Sequence, residues 1–377
     1  MTADPAVPAA SAGRREYGLD WLRVAAFAVL IFYHSGMVFV PWEFHIKNAE
    51  TSEKLALVML FFNRWRLPLL FFISGCGVAF SLRRRGWGEF TLERLRRLLI
   101  PLVFGMFVII PPQIYYERLQ QGATFTYAGF YRSVLEFVPY PKGSFSWHHL
   151  WFVVYILVYS LAGIPVFAFF RSAAGQRALA AFARFMNANR AGVYLISVPS
   201  LVVAFTLGPR WPTTHNLISD WANLTDSFVT FLWGFVIASS PAMLDLIERR
   251  RREFATGALI LTLAFYAARL DFFRPGPISR ELINGLLGML WIFTLTGYAR
   301  HHIRSRGPWL TYATQAVYPF YIIHQTIIIA VGFYIIQQPW SIGTKLALTM
   351  ACTFLGSWAC FELVRRTALT RLLFGIK

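Results

Sequence analysis

Charge is scarce in this chain, and acidic charge is the scarcest. There are 18 Asp and Glu against 36 Lys and Arg in 377 residues, and only 14% of residues are charged. A soluble protein of this length needs more polar surface than that. Cysteine is also sparse: Cys76, Cys352 and Cys360 all fall in apolar runs without metal-ligand spacing. They read as small buried hydrophobes, and no metal is expected. No Walker A loop, GxSxG elbow or internal inverted repeat is present, so nucleotide hydrolysis and a serine nucleophile have no support. The first sixteen residues lack an apolar h-region, which speaks against a cleavable signal peptide; 1–16 reads as a disordered cytoplasmic tail ahead of a transmembrane domain at 17–377.

What is plentiful is hydrophobicity, at 56% of residues with a mean hydropathy of +0.50. At about 20 apolar residues per span, ten spans are expected: 20–40, 57–82, 97–116, 148–170, 191–209, 224–241, 255–270, 279–299, 309–336 and 343–364. The fold class is therefore all-α, a polytopic helical bundle in membrane lipid. The second and ninth spans contain Pro68 and Pro319 and are expected to tilt or break. Alternating the connecting segments puts 23 Lys and Arg on one side and ten on the other. By the positive-inside rule both termini are then cytoplasmic. The formal charge of +18 is spread between apolar runs, not gathered on one soluble face, which speaks against nucleic acid as a partner. The longest outer connection, 117–147, is rich in Tyr, Phe, Ser and Gly. That composition suits sugar stacking, and equally an interfacial aromatic belt.

Polar residues inside the spans carry the functional signal, because a mid-span charge costs about 2.5–3.5 kcal/mol. In the first span, DWLRVAAFAVLIFYHSG, Arg23 and His34 are eleven residues apart. At 100° per residue they share a helix face, roughly 16 Å from end to end. Asp20 lies on the same stripe, where it and Arg23 also fit a snorkelling role at the interface. The ninth span holds His324 and Gln325 at mid-depth, with Tyr321 one turn earlier. His148 and His149 open the fourth span, and Arg64 and Arg66 sit in the second. Histidine is the side chain best matched to proton transfer near neutral pH. In RLRR, Arg94 and Arg97 stand one turn apart at the cytoplasmic rim, a placement that suits a phosphorylated ligand such as coenzyme A. For Arg83 to Arg85, attraction to anionic lipid is the preferred reading.

Taken in order, Arg–x10–His (Arg23, His34), FFISG (71–75), R–x–x–R (Arg94, Arg97), HLWF (149–152) and YPFYIIHQ (318–325) make the sequence resemble the acyltransferase 3 family of bacterial membrane proteins. The likeness covers about 17 to 377 and extends to the ending FELVRRTALTRLLFGIK, which is similar to a branch that modifies glucans. The resemblance implies a multi-pass inner-membrane enzyme that moves an acyl group from cytoplasmic acyl-CoA to a hydroxyl of an extracytoplasmic carbohydrate. In the glucan branch the donor would be succinyl-CoA, with acetyl-CoA the alternative. Carried over, His34 is the catalytic histidine, Arg23 its paired cation, and Arg94 and Arg97 the contacts to CoA phosphate. His324 or Tyr321 is expected at the thioester oxygen, and Arg66, His148 and His149 at the acceptor. A proton-coupled secondary transporter of a carbohydrate or small anion is the rival reading, since intramembrane His and Arg also build proton relays.

Overall fold

The computed structural model describes residues 16–376. The expected tail lies outside the described residues except for Glu16, which pairs with Arg300 at 2.5 Å. Among the described residues the chain is helical, with one isolated β-bridge between Pro139 and Phe145. Apart from a short helix at Tyr127–Tyr131 in the connection before α4, the helices in chain order are α1 (Tyr17–Met37), α2 (Glu53–Leu82), α3 (Trp87–Gln120), α4 (His148–Ala162) and α5 (Ile164–Arg171). They continue with α6 (Ala173–Ala188), α7 (Ala191–Thr206), α8 (Trp221–Ser239), α9 (Pro241–Arg249) and α10 (Arg251–Arg269). The last are α11 (Pro277–His302), α12 (Pro308–Ile335), α13 (Ile342–Val364) and α14 (Ala368–Leu373).

Each of the ten expected spans falls on helix. Five helices (α2, α3, α11, α12 and α13) are long and apolar enough to cross a membrane unaided, and the bent pairs α4–α5 and α8–α9 raise the number to seven. The other three fall short for visible reasons. Asp20, Arg23 and His34 lower the mean hydropathy of α1, α7 is short, and α10 begins and ends on arginine. The two bends, of 48° and 100°, follow from Gly163 with Pro165 and from Pro241, where proline removes a helical donor.

Pro68 and Pro319 do not break their helices: α2 runs 30 residues and α12 runs 28 without interruption. The prolines of α3 act differently. Two π-helical segments, Leu95–Leu99 and Gly105–Ile109, each end two residues before a proline, Pro101 and Pro111. The ring of a proline clashes with the carbonyl four residues back, and a widened turn relieves the clash. The first π segment carries Arg97.

The core forms where α2 meets α8. A Cβ added at Gly75 would sit 1.9 Å from the Phe231 carbonyl oxygen, and one at Gly234 would sit 1.9 Å from that of Phe72. Such reciprocal contact is the small-residue packing by which helices associate in lipid. The Cys76 thiol donates to the Gly234 carbonyl across the same contact at 3.3 Å. Cys352, in contrast, is exposed on α13 beside Phe354 and Leu355, so it is not the buried hydrophobe the sequence suggests. Outward apolar residues such as Leu263, 71% exposed, form the surface that a bilayer would cover. At one end of the bundle Arg300 gathers Glu16, Asp245 and Glu248 within 3.6 Å, fastening the start of α1 and the later part of α9 to α11.

Candidate active site

α1, α2, α3, α4 and α12 converge around a cavity of about 1,090 Å³, at the upper end of the volumes that hold small-molecule ligands. Arg23, Arg83, Arg84, Arg85, Arg94 and Arg97 all line it, with Glu16, Asp20, Glu89 and Glu93. The structure thus brings Arg23 of the first span and the two RLRR arginines to one chamber. Arg83 to Arg85, read from the sequence as attraction to anionic lipid, line that chamber too. Arg94 is only 13% exposed, lies 3.6 Å from Glu93 and stacks over Phe90 at 4.9 Å. Arg97 donates to the Gly375 carbonyl at 3.2 Å and lies 3.7 Å from Glu93. Those contacts fix the two guanidiniums on the wall before any ligand arrives.

The far wall of the cavity is apolar and aromatic, including Phe27, Phe152 and Tyr318. Phe27 and Phe152 pack edge-on against Tyr321 at 5.5 and 5.9 Å. Beyond this layer stand the histidines. His34 and His324 do not line the cavity, so the polar stripe of α1 is interrupted by aromatic side chains and is not one open channel.

His34 and His324 are partners: Nδ1 of His34 lies 2.8 Å from Nε2 of His324, with the rings nearly parallel. The network fixes their tautomers. Nδ1 of His324 lies 2.7 Å from the Tyr321 carbonyl and must donate to it, so its Nε2 is the acceptor of the neutral ring. His34 then donates from Nδ1, and its Nε2, which makes no hydrogen bond among the described residues, carries the lone pair. This is the arrangement of a general base oriented by a second group.

The supporting groups are buried and satisfied. Nε2 of His149 donates to the Ile322 carbonyl at 3.0 Å, leaving Nδ1 to accept from the Gln113 amide at 3.3 Å. Gln113 also donates to Thr326 Oγ1 at 2.8 Å and accepts from Gln325 at 3.2 Å. The Tyr321 hydroxyl donates to the His149 carbonyl. His149 and Tyr321 are therefore committed to each other and to the backbone. Both adjoin His324, whose Nδ1 meets the Tyr321 carbonyl and whose ring stands edge-on to that of His149 at 5.3 Å; the sequence reading places them on substrate. Gln113 was the legible signal missed here, an amide inside the third apolar run.

Arg66 lies on the other flank. It is 2% exposed, its guanidinium is 3.6 Å from the centre of the Tyr33 ring, and Tyr33 is adjacent to His34. Its Nε and Nη1 are buried without hydrogen-bond acceptors among the described residues. His148 is not with His149. Its ring stacks on His45 at 4.5 Å, and His45 contacts Glu117, which also accepts from the Tyr140 hydroxyl at 2.6 Å. Burial, together with that carboxylate, pushes the Tyr140 phenol well above its ordinary range. Lys47 donates to the Met37 and Val40 carbonyls and so caps the end of α1 that carries His34; burial pushes its ammonium down to about 8.

The model of the acyltransferase domain family named acyltransferase 3 matches residues 16–362. The chain belongs to the acyltransferase 3 family. Glucans biosynthesis protein C of Escherichia coli O157:H7 is 21% identical to it over 344 residues, covering 85% of this chain and 84% of that protein. The protein of the same name from Escherichia coli K12 matches at the same identity and coverage. No solved structure matches the chain. Family membership makes this a membrane acyltransferase. The family pattern Arg–x10–His corresponds to the two ends of the α1 stripe, one in the cationic cavity and one in the histidine pair.

Proposed function

We propose that the protein transfers a succinyl group from cytoplasmic succinyl-CoA to a hydroxyl of an extracytoplasmic glucan, across the bacterial inner membrane. The observation that carries this reading is the stacking order: a cation-walled chamber, an aromatic layer, then His34 with a free Nε2. In this reading the bundle crosses ten times, with both termini cytoplasmic, as the basic segments indicate. CoA phosphates dock on Arg94 and Arg97, with Arg23 deeper, because fixed guanidiniums bind phosphate strongly. The pantetheine arm, slender and with two amides along it, reaches the layer of Phe27 and Phe152, whose side chains part to admit the thioester to His34. His34 Nε2 takes the proton of the acceptor hydroxyl as its oxygen attacks the thioester carbonyl. The C–S bond then breaks, the CoA thiolate takes up a proton, and the ester remains outside. His324, donating to the Tyr321 carbonyl, holds His34 in the reactive tautomer.

Arg66 favours succinyl over acetyl. A buried guanidinium with unmet donors matches a second carboxylate on the acyl group, and acetyl has none. The test is thiol release by purified protein given succinyl-CoA and glucan, with mass spectrometry of the glucan. Release of CoA coupled to a mass gain of one succinyl group is expected. Glucan uptake into proteoliposomes without thiol release would replace this reading with the transporter.

A further inference from the structure

We propose that His45, Glu117 and His148 form a binding site for Zn²⁺ that fastens the outer connections together. The three residues come from the segment after α1, the end of α3 and the start of α4. One nitrogen or oxygen from each lies within 4.8 Å of the other two. Ligands of a tetrahedral zinc stand about 3.3–3.5 Å apart, given bonds of about 2.0–2.1 Å, so the widest pair draws in by at most about 1.5 Å, while His45 and Glu117, already in hydrogen-bond contact, move apart. The donor set, two imidazoles and one carboxylate, is a zinc set that leaves one position open.

Two of the three ligands, His148 and Glu117, have a supporting partner of the kind that orients metal ligands. Nδ1 of His148 lies 2.6 Å from Ser146 Oγ, so Nε2 is the ligating nitrogen. That Nε2 is buried and has no hydrogen-bond partner among the described residues. Glu117 uses one oxygen to accept from Tyr140 and turns the other toward His45. The backbone at His148, with φ of +38°, is in the left-handed region, which side chains other than glycine adopt at a cost. The His45 and His148 rings are stacked within 14° of parallel, and an ion must lie in the plane of each imidazole. Coordination therefore turns His45 about χ2, a broad torsion, out of the stack. The sequence suggests no metal because these ligands are separated by 72 and 31 positions and share no motif.

The proposal does not depend on the acyl-transfer reading, since binding is read without turnover. Untagged full-length protein in detergent, stripped with a chelator, is titrated with Zn²⁺ against a competing indicator. One equivalent is expected to bind, and Co²⁺ in its place is expected to show the visible bands of a four-coordinate ion. Glu117→Gln, which keeps an oxygen for Tyr140, is expected to lose that equivalent. Ser146→Ala, away from the ligating atoms, is expected to weaken binding roughly ten- to hundredfold. Zinc bound equally by wild type and Glu117→Gln, or no equivalent bound by wild type, would overturn the site.

Discussion

Replacing Arg66 with methionine separates the role of this arginine in catalysis from its cost to the fold. Arg66 is 2% exposed inside α2 and makes one visible favourable contact, over the Tyr33 ring at 3.6 Å. An arginine at mid-span costs about 2.5–3.5 kcal/mol, and a desolvated cation–π contact returns about 2 kcal/mol. Methionine has similar length, keeps the packing and removes both terms. Arg66→Met is therefore expected to be more stable by on the order of 1 kcal/mol. Its effect on the reaction runs the other way. Losing a charge-assisted partner for the distal carboxylate removes about 1.5–3 kcal/mol, which is roughly ten- to hundredfold in kcat/KM for succinyl-CoA. Acetyl-CoA, with no carboxylate to pair, is expected to be used as well as before or better. The assays are thermal unfolding in detergent and initial rates of thiol release with each donor. Equal loss with both donors, or a less stable variant, would refute the assignment of Arg66 to the succinyl carboxylate.

Arg94→Gln and Arg97→Gln are expected to raise KM for acyl-CoA about tenfold each with little change in kcat, and to flatten its salt dependence, because a lost phosphate contact is binding lost before the chemical step. Gly75→Ala places a methyl against the Phe231 carbonyl, and a loss of about 3 kcal/mol, the upper part of the overpacking range, is expected in detergent unfolding. Tyr321→Phe leaves the His149 carbonyl without its donor; kcat is expected to fall about tenfold, the effect of a loosened orienting group, while KM for acyl-CoA stays unchanged.

The helical bundle was legible because apolar runs near twenty residues long are hard to place elsewhere than in lipid. The face shared by Arg23 and His34 was legible for a similar reason: a helix converts spacing into direction. What spacing does not give is the partner across the bundle. His34 and His324 are 290 positions apart, and only tertiary packing shows that they touch. The same limit separates His148 from His149. These neighbours in sequence point into different environments, because one residue of a turn rotates the side chain to another face. Pro68 and Pro319 predict a tilt or a break, and α2 and α12 run through them unbroken; the strain of proline appears in α3, as π-helical turns before Pro101 and Pro111. The aromatic layer of Phe27, Phe152 and Tyr321 was unreadable for a different reason. In a chain with 17% aromatic residues, no single ring stands out.

The central claim is that Nε2 of His34 accepts the proton of the acceptor. The most direct test is glucan acylation by proteoliposomes carrying His34→Ala, followed by mass spectrometry beside wild type at equal protein. Wild type is expected to yield acylated glucan, and the variant, inserted and as resistant to unfolding as wild type, is expected to yield none. Acylation by His34→Ala at the wild-type rate would contradict the account.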